Sequence, residues 1–220
     1  MQILLLAALD EEADTFLPGT GEALVGTWPP VRRIETDGHT ILLATTGIGK
    51  VNIATAAARL HMLHGADLLA TIGTAGKLRG IQGDCFYLAQ AVQHDHGARK
   101  AEAFVHYPPG AWPMGPAYTE PYTALPDLGL MLPHAVIASG DAFIEDPAYA
   151  AHLVATLNAD LVDMETAALA QYARRVGLPW LGIKATTDDA NHASTGDFHA
   201  NLRTASRRAA DAMAALIALL

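Results

Sequence analysis

Apolar residues cluster along this chain in short runs of strand length. Because several of these runs are apolar at consecutive positions, they predict strands that are covered on both faces. The runs are residues 3–8, 41–44, 68–72, 135–138, 161–162 and 180–185.

Helical patterns lie between and after these runs. Residues 51–64 have apolar side chains at helical spacing and end at Gly65, and residues 165–176 end at Gly177. Residues 147–157 and 201–220 also have a helical pattern. Alternating strands and helices predict an α/β fold of one domain, residues 1–220, with a central, mixed, twisted sheet flanked by helices. The proline-rich segment 108–133 is predicted to be a long ordered loop.

Composition limits the class of protein. The chain has 220 residues, of which 51% are hydrophobic and 17% charged, so it can bury a substantial core. A formal charge of -9 disfavours nucleic acid and anionic membranes as partners. The apolar start lacks a basic leader, and Cys85 is the single cysteine, so we expect a cytoplasmic protein with Cys85 in its core.

Several familiar motifs are incomplete. Segment 47–51 (GIGKV) is not a phosphate loop, because Ala44 and Val51 replace the required Gly and Ser or Thr. Neither this segment nor 73–76 (GTAG) has the spacing of a dinucleotide fingerprint. Segment 94–96 (HDH) is predicted to place two imidazoles on one side of a strand, but no third ligand is evident, so we predict no metal site. No G-x-S-x-G elbow supports a serine hydrolase.

Polar motifs follow four of the predicted strands. They are segments 10–12 (DEE), 139–144 (SGDAFI), 162–165 (VDME) and 185–189 (ATTDD). Ligands collect at the carboxyl ends of strands in sheets of this class. Carboxylates that leave apolar strands are either surface groups or functional ones, since burying them without partners is costly.

Together with segments 47–50 and 73–76, these motifs resemble the methylthioadenosine/S-adenosylhomocysteine nucleosidases of the purine nucleoside phosphorylase superfamily. The order and approximate spacing match over nearly the whole chain, and SGDAFI is similar to the nucleosidase form of its loop. The resemblance implies a nucleoside phosphorylase-like fold, a small-molecule nucleoside as the substrate, no cofactor and a homodimer.

The resemblance also implies roles for individual residues. Glu12 matches the base that activates water, and Asp188 matches the acid that protonates the purine at N7. Met164 and Glu165 match the pair under the ribose. Phe143 matches the ring stacked on the base, and the backbone of Ile144 is expected to contact the adenine edge. The rest of the pocket is expected to include Ile48, Thr74, Ala75, Gly76, Thr187 and Phe198.

Hydrolysis is favoured over phosphorolysis at this point. A phosphorylase holds a phosphate dianion with arginines and backbone amides, whereas three acids follow the first strand here. A phosphorylase and a nucleoside-binding protein without catalysis remain alternatives. Substrate choice also stays open between 5′-substituted adenosines, including methylthioadenosine, S-adenosylhomocysteine, 5′-deoxyadenosine, aminodeoxyfutalosine and adenosylhopane. The chain departs from the commonest family pattern at Asp10, Thr74, Asp163, Lys184 and Thr187, and Lys184 in place of arginine is expected to alter how Asp188 is held.

Overall fold

A computed structural model describes residues 1–36, 38–111 and 114–220. The helices are α1 (Asp10–Thr15), α2 (Lys50–His64), α3 (Pro147–Leu157), α4 (Thr166–Val176) and α5 (Ser194–Ile217). The strands are β1 (Gln2–Ala7), β2 (Glu22–Leu24), β3 (Val31–Thr36), β4 (His39–Thr45), β5 (Leu68–Lys77), β6 (Cys85–Gln93), β7 (Gly97–Arg99), β8 (Phe104–His106), β9 (Tyr122–Thr123), β10 (His134–Ser139), β11 (Leu161–Asp163) and β12 (Trp180–Asp188).

A ten-stranded mixed sheet forms the centre of the molecule, with the order β11-β10-β6-β12-β5-β1-β4-β3-β2 and β9 paired to β6. β1 is parallel to both β4 and β5, and β12 is parallel to β5 but antiparallel to β6. β11 also pairs with β5, which closes strands β5, β12, β6, β10 and β11 into a ring. The predicted mixed sheet flanked by helices is therefore confirmed.

The consecutive apolar residues of β1 explain its central position. Successive side chains of a strand point to opposite faces, so Leu4 and Leu6 pack in one hydrophobic cluster with Ile53 and Leu60 of α2. Ile3 and Leu5 belong to a second cluster, on the other face, that includes Met213 and Leu216 of α5. Because helices cover both faces, the buried residues of β1, Ile3 to Ala7, are all apolar, and the next polar side chain along the chain is Asp10, after the strand ends.

All six predicted strands are present, but the apolar pattern did not predict β2, β3 or β6 to β9. The last helix begins at Ser194 instead of residue 201 and ends at Ile217 instead of residue 220. The expectation that residues 94–96 lie on a strand was wrong, because β6 ends at Gln93 and the chain bends there. In the parts of the chain that the structure describes, no group of three or more His, Cys, Asp or Glu side chains could hold a metal ion.

The predicted long loop, residues 108–133, contains only the short strand β9 among its described residues. Residues 112 and 113 of this loop lie outside the described residues. A search of residues 1–36, 38–111 and 114–220 finds no helix with the length and apolarity needed to span a bilayer.

Candidate functional site

A cleft of about 350 Å³ opens at the carboxyl ends of β1, β5, β11 and β12. It is lined by Ala8, Leu9, Glu12, Ile48, Thr74, Ala75, Gly76, Phe143, Val162, Asp163, Met164, Glu165, Thr187, Asp188, Thr195, Phe198 and His199. The structure thus brings together all the predicted site residues except Ile144. Three carboxylates that are remote in sequence, at positions 12, 165 and 188, share this one cleft.

Glu12 is held by four hydrogen bonds, two to each carboxylate oxygen. Oε2 accepts from the amides of Ala8 and Leu9 at 3.0 and 3.1 Å. Oε1 accepts from the amide and the hydroxyl of Thr74 at 2.8 and 3.0 Å. Only 2% of the residue is exposed, so these donors compensate for the water that the carboxylate has lost. The side chain is therefore fixed between the end of β1 and the middle of β5.

Gly73 makes room for this carboxylate. Its backbone has a φ of +147°, and a Cβ atom at this position would lie 2.5 to 2.8 Å from the Glu12 carboxyl group. Such contacts are far shorter than van der Waals distances, so any side chain at position 73 would displace Glu12. Gly73 is therefore needed for Glu12 to occupy its position in the cleft.

Glu165 lies on the opposite wall, just after β11. Its Oε1 accepts a hydrogen bond from the Gly49 amide at 2.8 Å, and its Oε2 accepts a longer one from the Met164 amide at 3.3 Å. Burial raises the pKa of Glu165 to about 7, although the nearby charge of Lys184 acts in the opposite direction. This carboxyl group is therefore less firmly ionised at neutral pH than an exposed glutamate.

Asp163, which lines the cleft, forms a buried ion pair with Lys184, which does not line it. Lys184 Nζ lies 3.1 Å from Asp163 Oδ2 and 4.0 Å from Glu165 Oε2. Burial lowers the pKa of Lys184, but Asp163, Glu12 and Glu165 together outweigh burial and raise it. Asp163 also accepts hydrogen bonds from the Ser139 and Thr166 hydroxyls. The expectation that Lys184 acts on Asp188 is not supported, because the ion pairs of Lys184 are with Asp163 and Glu165.

Asp188 closes the far end of the cleft at the end of β12. Its Oδ2 accepts a hydrogen bond from the Thr187 hydroxyl at 2.8 Å, and its Oδ1 accepts one from the Ala190 amide at 3.0 Å. A Cβ atom on Gly76 would lie 3.1 Å from Oδ1, so this glycine lets β5 approach the carboxyl group closely. Asp188 is buried, whereas the adjacent Asp189 is exposed.

Two aromatic rings that line the cleft contact each other. Phe143 and Phe198 pack edge to face with their centroids 5.8 Å apart. Phe143 is 46% exposed, which leaves a ring surface for a planar ligand. Ile144 does not line the cleft, because its side chain packs in a hydrophobic cluster with Leu153. The predicted contact of its backbone with adenine stays a prediction.

The first residues of α2 contact two carboxylates. The Gly49 amide donates to Glu165, and the next amide, that of Lys50, donates to Asp141 Oδ1 at 2.9 Å. Amides at a helix N-terminus favour anions. Here those anions are side chains of the protein itself, so segment 47–50 joins two parts of the site.

A family model described as "Phosphorylase superfamily" matches residues 3–218. The chain belongs to the phosphorylase superfamily. The relatives within it include the 5′-methylthioadenosine/S-adenosylhomocysteine nucleosidase of Halalkalibacterium halodurans, which is 29% identical over 82% of this chain and 81% of its own. The aminodeoxyfutalosine nucleosidase of Campylobacter jejuni is 31% identical over 73% of this chain and 72% of its own.

Solved structures agree with this assignment. The MTA/SAH nucleosidase of Streptococcus pneumoniae, determined with 8-aminoadenine, superposes with a TM-score of 0.84 over 100% of both chains at 26% identity. Within the phosphorylase superfamily, the chain therefore belongs with the nucleosidases, and the predicted resemblance is confirmed.

This superfamily member has six cleft residues that were not among the predicted site residues, which are Ala8, Leu9, Val162, Asp163, Thr195 and His199. Val162 and Asp163 lie within segment 162–165, and Ala8 and Leu9 precede segment 10–12, so the position of these four could have been inferred from the motifs. Thr195 and His199 reach the cleft because α5 begins before residue 201. No local pattern marked that earlier start.

The two arginines nearest to the acidic motif in sequence have other partners. The Arg32 guanidinium donates to backbone carbonyls of residues 13, 16, 17 and 20. Arg33 pairs with Glu35 on the surface. Of the described residues that line the cleft, none is lysine or arginine.

Proposed function

We propose that this chain hydrolyses the N-glycosidic bond of a 5′-substituted adenosine and releases adenine. The observation that carries the proposal is the convergence of Glu12, Glu165 and Asp188 on one cleft. The names of its relatives, methylthioadenosine/S-adenosylhomocysteine nucleosidase and aminodeoxyfutalosine nucleosidase, support the same reaction on two kinds of 5′-substituted adenosine.

Asp188 is the proposed general acid. When the bond from C1′ to N9 breaks, its electron pair moves to the purine, and a proton from Asp188 to N7 neutralises the departing base. Such proton transfer from a positioned group is worth about 10² to 10⁴ in rate. The Thr187 hydroxyl and the Ala190 amide hold the carboxyl group in place for this transfer.

Glu12 is the proposed general base. Water would form the new bond to C1′ and give its proton to Glu12. The four hydrogen bonds to Glu12 fix its position, and a well-positioned base lowers the entropic cost of bringing water to the sugar.

Glu165 and Met164 are proposed to lie under the ribose. Glu165 would accept hydrogen bonds from the sugar hydroxyls and place negative charge beside the positive charge that develops on the ring. Phe143 would stack on the purine, with the Ile144 backbone along its edge. The remaining contacts are proposed for Ile48, Thr74, Ala75, Gly76, Thr187 and Phe198.

Water is favoured over phosphate as the nucleophile. The described cleft lining contains neither lysine nor arginine, and arginine is the side chain best suited to hold a phosphate dianion. The amides of Gly49 and Lys50, which would suit phosphate, already hold Glu165 and Asp141. The proposed reaction therefore needs neither phosphate nor a cofactor.

The test is a panel of 5′-substituted adenosines, assayed with and without phosphate for free adenine. We expect equal rates in both conditions. Glu12→Gln and Asp188→Asn should each lower kcat by about 10² to 10⁴. Their exposed neighbours provide matched controls, because Glu11→Gln and Asp189→Asn change the same groups outside the cleft. Release of adenine only when phosphate is present would contradict hydrolysis.

We also propose that residues 1–220 act as one domain, that two copies form a homodimer and that the protein works in the cytoplasm. The single family match across residues 3–218 supports one domain. Val51, Met62 and Leu63 of α2 are 70%, 85% and 59% exposed, which supports an interface on this helix. The buried, free Cys85 suits a reducing compartment.

A further inference from the structure

The loop that carries Phe143 is tied to α2 and to the end of β6. We name residues 139–144 the base loop. In it, Asp141 Oδ1 accepts the Lys50 amide at 2.9 Å, and the Asp141 amide donates to Asp95 Oδ2 at 2.9 Å. Asp95 Oδ1 in turn accepts from Lys50 Nζ at 2.6 Å. Each of these three residues, Lys50, Asp95 and Asp141, thus contacts the other two.

These contacts are stronger than those of a typical surface ion pair. The side chains of Lys50 and Asp95 are only 16% and 29% exposed, so water screens their attraction less than it would at the surface. Burial alone would raise the pKa of Asp95. The hydrogen bonds from Lys50, from the Asp141 amide and from Gln93 outweigh burial and lower it, so Asp95 is ionised at neutral pH.

The base loop is also confined next to Asp141. Gly140 packs directly against the imidazole of His94, and a Cβ atom at position 140 would overlap the ring. His94 is itself buried. The loop therefore cannot shift toward β6, while the contacts to Lys50 and Asp95 keep it from moving away.

The same turn reaches the ribose side of the cleft. Gly49 precedes Lys50, and its amide holds Glu165. Two adjacent amides therefore fix the distance between the ring proposed to stack on the base and the carboxylate proposed to hold the sugar. None of Lys50, Asp95 and Asp141 lines the cleft, so any effect on substrate passes through Phe143 and Glu165.

We propose that Lys50, Asp95 and Asp141 form a positioning clamp. The clamp holds the base loop, and with it Phe143, at a fixed distance from the Glu165 carboxylate. Because the clamp fixes Phe143 relative to Glu165, the base and the ribose of a nucleoside can contact their two subsites at the same time. The inference rests on the proposed function for its kinetic consequence. Its structural consequence, a restrained base loop, does not depend on catalysis.

The kinetic test uses Asp95→Asn, Lys50→Met and the double variant. Hydrogen bonds to charged groups contribute enough that losing one should raise KM by about tenfold, with a smaller change in kcat because the acid and base stay in place. Both single variants remove the ion pair between Lys50 and Asp95, and Lys50→Met also removes a 3.6 Å approach to Asp141 Oδ2. The loss in the double variant should therefore be smaller than the sum of the two single losses. Lys50→Arg should recover part of the loss. Glu35→Gln, which breaks the exposed pair with Arg33, is the control.

A second readout separates the clamp from the catalytic assignment. Amide hydrogen exchange of residues 139–146, measured without any ligand, should be faster in Asp95→Asn and Lys50→Met than in the parent protein and in Glu35→Gln. Unchanged exchange and an unchanged KM in both folded variants would overturn the clamp. Faster exchange in the two variants, combined with a parent protein that releases no adenine from any nucleoside, would retain the clamp and overturn the proposed function.

Discussion

Two of the buried carboxylates in the cleft are held in very different ways. Glu12 receives four hydrogen bonds, two from the amides between β1 and α1 and two from Thr74 of β5. Glu165 receives one short and one long hydrogen bond and has Lys184 at 4.0 Å. A carboxylate with fewer donors in an equally dry place is more easily protonated. Glu165 is therefore the group whose ionisation should control substrate binding near neutral pH.

We predict that kcat/KM rises with pH through a midpoint near 7. Burial raises the pKa of Glu165 to about 7. The ionised form offers an acceptor for ribose hydroxyls at both oxygens, whereas protonation turns one of them into a donor. Initial rates at low substrate concentration between pH 5 and pH 9 measure this midpoint. In Glu165→Gln this titration should vanish together with most of the activity. A parent profile that is flat from pH 6 to pH 8 would contradict the assignment.

The same shift affects stability in a defined direction. The pKa of Glu165 is raised from 4.5 to about 7, so the folded protein binds more protons than the unfolded chain in that interval. The contribution of Glu165 to the free energy of unfolding is therefore full below pH 4.5 and is lost as the pH rises through about 7. Comparing denaturation of the parent and Glu165→Gln at pH 5 and pH 8 isolates this contribution.

A methyl group at position 73 should lower the activity by displacing the Glu12 carboxylate, while Glu12 itself remains unchanged. In Gly73→Ala the new Cβ would lie 2.5 Å from Glu12 Oε1, so the carboxylate must move. A displacement of about 1 Å can cost about 10²-fold in rate, and we expect a loss of that size in kcat. Gly80→Ala is the matched control, because a Cβ there meets nothing within 4 Å. Equal activity of the two variants would show that Glu12 needs no fixed position.

At the scale of elements, the strands with uninterrupted apolar runs were predictable. A strand that is buried on both faces needs apolar side chains at successive positions, and this pattern is visible in the sequence. β3 was missed because Arg32 and Arg33 interrupt its pattern. Arg32 is tolerated there because its guanidinium donates to carbonyls in α1 and in the residues just after it, which is a tertiary contact with no local signal. β6 was apolar enough to be predicted, but its Gln90 and Gln93 weakened the pattern.

The start of α5 depends on the site itself. Gly196 and Asp197 are poor helix formers, which favoured a start at residue 201. In the structure the first turn is held by Glu145, which accepts a hydrogen bond from the Thr195 amide at 2.9 Å, and Phe198 packs on Phe143. The polar motifs were recognisable at strand ends and the family resemblance assigned their roles, whereas the positions of Thr195 and His199 depend on the packing between two distant segments.

Helix α3 offers a local test of capping. Asp146 precedes it and accepts a hydrogen bond from the Ala148 amide at 2.8 Å, with Pro147 in the first turn. Asp146→Ala should lower the free energy of unfolding by about 1 kcal/mol because an amide of the first turn loses its partner. Urea denaturation measures the change. Asp211→Ala, at an exposed position inside α5, should change stability by less than about 0.5 kcal/mol. Equal stability of the two variants would contradict the capping role.

At the scale of the whole molecule, the exposed residues of α2 predict the association state. Met62→Glu adds a charge to a surface that we propose is buried between two copies, in a chain that already carries -9. Light scattering after size exclusion should give about twice 23.2 kDa for the parent and 23.2 kDa for the variant. Val25→Glu makes the same change at a 97% exposed position outside α2 and should remain dimeric. A monomeric parent would contradict the proposed dimer.

The order of strands in the central sheet has a consequence for the kinetics of folding. β5 lies between β1, from the beginning of the chain, and β12, from near its end. Contacts between such distant segments form slowly, because a long loop must close first. Since Glu12 follows β1 and Asp188 ends β12, a refolding chain gains both groups only when its last strand has inserted. The recovery of catalysis after dilution from denaturant would therefore measure completion of the sheet. Collapsed intermediates, in which β12 has not yet paired, would show no activity in that assay.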